Sequence, residues 1–164
     1  MAILVTGGAG YIGSVAVDDL HKRGEKVVVL DNLVYGHREA VAEGVPFVKG
    51  DIGDCELVER VVREHGIDSC MHYSAFAYVG ESVEQPRKYY HNNLVQTSSL
   101  LDVLLANGAK KFIFSSTCAT YGEPQYVPID EKHSQHPVNS YGWTKFMTER
   151  VLSDYDRAYG LKFV

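Results

Sequence analysis

Short apolar runs alternate along the chain with longer amphipathic segments. The runs at 3–5, 26–30, 46–49, 69–72 and 111–115 are strand-length, and near-continuous apolar composition at that length fits strands buried on both faces. Helix-period patterns fill the gaps at 12–23, 55–65, 87–107 and 141–159, and residues 161–164 open a sixth strand. This alternation predicts an α/β fold, a doubly wound parallel sheet with right-handed crossovers. Gly24, Gly66 and Gly108 mark helix stops, the place where a left-handed residue ends a helix. The stretch 122–140 holds three prolines and no period, so it reads as a long loop of the kind that carries function.

Composition narrows the picture. A length of 164 residues suits one domain, here 1–164. The net charge of −5 offers no basic footprint for nucleic acid or an anionic membrane. No stretch approaches the roughly 20 apolar residues of a membrane span, and Met1 to Thr6 reads as a strand and not as a signal peptide. Cys55, Cys70 and Cys118 are odd in number and widely spaced, which points to free thiols and the cytoplasm. Cys118 reads as a packed thiol, His133 and His136 as solvated loop residues, and Asp18, Asp19, Asp154 and Asp156 as exposed helix charges. The final residues look like a strand without a cap, which reads as a truncated domain.

The first strand runs into Thr6-Gly7-Gly8-Ala9-Gly10-Tyr11-Ile12-Gly13 and then a helix. That order is the context of a dinucleotide-binding turn: Gly7 for a tight turn, Gly10 for close backbone approach to a pyrophosphate, Gly13 for helix–strand packing. Tyr11 and Ile12 open a helix whose free amides attract a diphosphate. Asp31 closes the second strand 18 residues after Gly13, where an acid meets the adenosine ribose hydroxyls and repels a 2′-phosphate, favouring NAD over NADP. Asn32 follows it, and Asp51-Ile52 after the third strand suits the adenine.

Near the other end, Tyr141 and Lys145 are spaced i, i+4 on one helix face. A phenol titrates at about 10 in water, and a neighbouring ammonium stabilises its phenolate, turning it into a usable base. Ser115-Ser116-Thr117 places hydroxyls at the carboxyl end of the fifth strand, the edge where ligands of open α/β sheets sit.

These stretches, together with Val79-Gly80-Glu81-Ser82 and Tyr89-Tyr90-His91-Asn92-Asn93, resemble the extended short-chain dehydrogenase/reductase family, most closely its nucleotide-sugar 4-epimerase branch. The resemblance implies a Rossmann fold with the C-terminal substrate domain missing, NAD as cofactor and a UDP-sugar as substrate. It also implies a homodimer through the two long helices. Tyr141 would take the proton of the sugar 4-hydroxyl, Lys145 would assist it, Thr117 would share the proton, and Asn92 and Ser115 would lie in the cofactor region. The reaction implied is reversible hydride transfer at C4, interconverting UDP-glucose and UDP-galactose. Tyr35, Tyr73-Ser74-Ala75 and Ala77 depart from the family's usual residues. Other nucleotide-sugar epimerases, dehydratases and a non-catalytic NAD-binding module are the alternatives; Cys118-Ala119 after Thr117, with no Asp-Glu pair, speaks against a dehydratase.

Overall fold

The computed structural model describes residues 1–164. Six parallel strands form one sheet in the order β3-β2-β1-β4-β5-β6. They are β1 (Ala2–Thr6), β2 (Val27–Asp31), β3 (Phe47–Lys49), β4 (Ile67–His72), β5 (Lys111–Phe114) and β6 (Lys162–Phe163). The helices are α1 (Tyr11–Lys22), α2 (Cys55–His65), α3 (Val79–Glu84), α4 (Pro86–Tyr89), α5 (Gln96–Ala106) and α6 (Ser140–Tyr159). Every strand ends at the same edge, and the order reverses between β1 and β4, which opens a crevice at that edge.

Helices cover both faces, and the apolar runs become two cores. Leu4, Val28, Leu30 and Phe112 pack with Val58, Val62, Leu100, Leu101, Leu104 and Leu152 on one side; Val5, Val17, Val27 and Val29 pack on the other. All of β2 is buried, as a strand sandwiched between helix layers must be. Caps set the helix ends. The Asp54 carboxylate accepts the Leu57 amide at the start of α2, and the Asn139 side chain accepts the Gly142 amide at the start of α6. Gly66 and Gly160 close these helices in the left-handed conformation.

One predicted element is different. The continuous helix at 87–107 is divided into α4, a π-helical stretch Tyr90–Val95 and α5, and α3 precedes it unforeseen. The wider turn changes which side chains face inward, a device common at functional sites. Strand β5 ends at Phe114, one residue before the expected limit, so Ser115 already belongs to the following segment. Along this segment Leu100, Leu101 and Leu104 are buried, whereas Leu94 and Leu105 are half-buried. No helix is long and apolar enough to cross a membrane.

Candidate functional site

The crevice between β1 and β4 is an open groove enclosing about 100 Å³. Gly7 and Gly10 form its floor, and Asp31, Asn32, Asp51, Ile52 and Asn92 line it. Tyr11, Ile12 and Gly13 do not line it: the side chains of Tyr11 and Ile12 point to solvent, 90% and 59% exposed. Ser115, Thr117, Tyr141 and Lys145 lie beyond it, around the end of β5 and the start of α6.

The glycine turn is built from missing atoms. Gly7 has φ +71°, and a Cβ there would stand 2.6 Å from the Ser74 amide nitrogen, so the turn and the segment after β4 meet backbone to backbone. A Cβ on Gly13 would run into the Gly7 carbonyl, which is why α1 can start directly against the end of β1. Gly10 is different, since a Cβ there meets only the Gly7 carbonyl oxygen at 3.3 Å. No side chain caps α1 and its first turn contains no acid, so its first amides are left without a side-chain partner.

Asp31 is 7% exposed. One carboxylate oxygen accepts the Ala9 amide at 3.0 Å and the other the Leu33 amide at 2.8 Å, tying the glycine turn to the end of β2. Gly36 leaves it room, for a Cβ there would stand 2.9 Å from the carboxylate. The Asn32 amide donates to Asp51 at 3.0 Å, and Asp51 also accepts the Gly53 amide at 2.9 Å. Tyr35 and Phe76 form the opposite wall, edge to face at 5.5 Å. Lys88 braces them, donating to the Tyr35 hydroxyl at 3.3 Å and pairing with Glu81 at 2.6 Å.

At the other region, Lys145 is 3% exposed. Its ammonium donates to the Ser115 carbonyl at 2.7 Å and lies 4.7 Å from the centre of the Phe114 ring. Burial pushes its pKa down to about 8, with the Glu149 carboxylate pulling the other way. Tyr141 is half-buried one turn earlier. The start of α6 comes this close because residue 142 is glycine: a Cβ there would lie 2.6 Å from the Ala119 carbonyl oxygen, in the turn that Thr117 caps. The Thr117 hydroxyl accepts the Ala119 amide at 3.2 Å.

Beneath these groups runs a buried polar framework that sequence reading missed. The Asn93 side chain pairs with both the amide and the carbonyl of Phe76, each at 2.9 Å, and donates to the Thr144 hydroxyl at 3.2 Å. Thr144 in turn donates to the Tyr141 carbonyl at 2.7 Å. Asn92, facing the groove, donates to Asn93 at 2.8 Å. His72 is bonded to Thr6 at 2.7 Å and Thr97 at 3.1 Å. Burial, and then the nearby Lys145 charge, push its pKa down to about 3.

Two smaller expectations are corrected. His133 is buried, not solvated: its Nε2 accepts the Gln125 amide at 3.0 Å and Nδ1 bonds the Ser134 carbonyl at 2.7 Å, pinning the 122–140 loop. Cys118 is exposed, not packed, because the turn after Thr117 faces it outward. Asp18, Asp19, Asp154 and Asp156 form exposed ion pairs, as expected, and no His/Cys/Asp/Glu cluster suits a metal.

Strand order, edge and glycine turn together define a Rossmann-like α/β domain. Residues 3–164 match the model of the NAD dependent epimerase/dehydratase family, and the chain belongs to that family. It is 49% identical over 164 residues to a UDP-glucose 4-epimerase of Halalkalibacterium halodurans, covering 100% of this chain and 49% of that protein. Two solved UDP-glucose 4-epimerases superpose closely. That of Brucella ovis, in complex with NAD, gives a TM-score of 0.96 at 46% identity over 99% of this chain and 50% of the other. That of Thermotoga maritima, with UDP-glucose, gives 0.95 at 41% identity over 99% and 53%. The chain thus spans about half the length of the relatives it matches.

Proposed function

We propose that this chain is the NAD-binding part of a UDP-glucose 4-epimerase, interconverting UDP-glucose and UDP-galactose. The observation that carries this reading is the placement of Tyr141 and Lys145. A buried ammonium bonded to the end of β5 sits one helical turn from a half-buried phenol, beside the family's dinucleotide groove. The groove fits NAD on its own chemistry: a Gly10 position open to a ligand, an uncapped positive helix end for a diphosphate, and the Asp31 carboxylate for ribose hydroxyls. Gly7, Gly10 and the amides of Tyr11, Ile12 and Gly13 would hold the diphosphate. Asp31 and Asn32 would hold the adenosine ribose, Asp51 and Ile52 the adenine. Asn92 and Ser115 would border the nicotinamide side.

Bound NAD supplies a hydride acceptor and donor for C4 of the sugar. The chain's own residues move the proton. Tyr141 takes it from the 4-hydroxyl and returns it, with Thr117 offering a second hydroxyl to the same oxygen. With a pKa near 8, Lys145 stays charged at neutral pH and lowers the cost of the phenolate. The segment 87–107, which contains α5, and α6 would form a homodimer interface.

Conversion of UDP-glucose to UDP-galactose without net NADH tests the activity. Tyr141→Phe is expected to lower turnover by about 10²–10⁴-fold, and accumulation of NADH or loss of water from the sugar would contradict the reading. Because the chain spans half of its relatives, a second reading is a non-catalytic NAD-binding module. Calorimetry showing heat with NAD, but neither heat nor turnover with UDP-sugar, would assign it.

A further inference from the structure

Glu149 lies one turn beyond Lys145 on α6. Both of its carboxylate oxygens are occupied by groups from distant parts of the chain. One accepts the Ser116 hydroxyl. The other accepts the side-chain amide of Gln135 at 2.9 Å. Ser116 stands between Ser115, whose carbonyl holds Lys145, and Thr117, while Gln135 belongs to the 122–140 loop. A single carboxylate therefore joins the Tyr–Lys helix, the hydroxyl segment and the long loop.

Its charge matters as much as its bonds. Lys145 is faced on its own helix by Tyr141 and Glu149 at i−4 and i+4, from β4 by His72, and from β5 by the Phe114 ring. The Ser115 carbonyl, just past β5, completes its surroundings. His72 is neutral throughout the physiological range, so the opposing charge that Lys145 meets is that of Glu149. An opposite charge within one helical turn favours the charged form of a buried amine.

We propose that Glu149 is a positioning residue: it presents its carboxylate one helical turn from Lys145 and clamps Ser116 and the 122–140 loop around that lysine. This rests on the reading of Lys145 as the partner of Tyr141. Its test does not depend on turnover or on NAD, so the two can fail separately.

The experiment follows lysine Cε by carbon NMR in the 164-residue chain from about pH 5 to about pH 11, with the Lys145 signal assigned by its loss in Lys145→Met. Wild type is expected to titrate near 8. Glu149→Gln, which keeps the shape and removes the charge, should lower that midpoint by about one unit. Gln135→Ala, which keeps the charge and frees the loop, should leave the midpoint in place and speed amide exchange across 122–140 about tenfold. An unmoved midpoint in Glu149→Gln overturns the charge role, and unchanged loop exchange in Gln135→Ala overturns the clamp. If Glu149→Gln does not fold, Glu149→Asp decides: it retains the charge, so a midpoint near that of wild type supports the inference and a fall of about one unit sinks it.

Discussion

The turn after β1 and the start of α6 stand at the same edge of one sheet, yet they are held by opposite means. The turn is made of vacancies. Gly7, Gly13 and Gly36 are required because a single added carbon would strike backbone or the Asp31 carboxylate. The start of α6 is made of partners. Lys145, Thr144 and Glu149 each reach a group 30 to 51 residues away in sequence or bind the adjacent loop. A steric site fails when an atom is added; a polar site fails when a partner is removed and its mate is left buried and unpaired.

The sharpest break in this comparison comes from acid. His72 belongs to the polar region, and its folded pKa near 3 lies below the ordinary 6.5 because burial disfavours the imidazolium. Between those values the unfolded chain binds a proton that the folded chain refuses, so stability falls as pH drops through the window. The full loss amounts to about 5 kcal/mol. Urea unfolding of wild type and His72→Gln at neutral and acidic pH should show the slope in the first and a flatter profile in the second. Equal slopes would mean that the polar region does not hold His72 neutral.

Lys145 gives the mirror image at high pH. Its folded pKa near 8 lies below the usual 10.5, so burial of the ammonium costs stability below pH 8. That cost is relieved as pH rises toward 10.5, by about 3 kcal/mol in all. Lys145→Met should therefore be more stable than wild type at neutral pH, by that amount less the lost bond to Ser115, and the advantage should shrink as pH rises. A stability difference independent of pH would contradict the account.

The glycine turn is sharpened by two substitutions three residues apart. Gly13→Ala forces a carbon into the Gly7 carbonyl and should cost about 1–3 kcal/mol of stability. Gly10→Ala meets only one oxygen at 3.3 Å, and its stability should stay within about 0.5 kcal/mol of wild type while NAD affinity drops. Equal losses from both would show that Gly10 serves the fold and not the groove.

This contrast also explains what could be read from sequence. Gly7, Gly10, Gly13 and Asp31 are legible because the turn is local, and strand, glycines and helix follow one another directly. The strand runs are legible for the same reason, as burial on both faces imprints itself on consecutive residues. The break of the 87–107 helix at Tyr90–Val95 is not legible, because Asn93 turns inward to bond Phe76, a partner 17 residues earlier. Nor are Gly36, Gly142 and Glu149. Their roles come from neighbours brought close only by the finished fold, and no period or spacing records them. His133 misleads for a related reason: a loop histidine surrounded by polar residues is buried by the Tyr121 and Tyr126 rings packed against it.

The central claim is that the edge groove takes NAD by its glycine turn and by Asp31. Its most direct test is calorimetric titration of the chain with NAD and with NADP, in wild type and in Asp31→Asn. The account predicts saturable binding of NAD and at least about tenfold weaker binding of NADP to wild type. It also predicts a narrowed preference once the Asp31 charge is gone. Equal affinity of wild type for the two dinucleotides, or no heat with either, would contradict it.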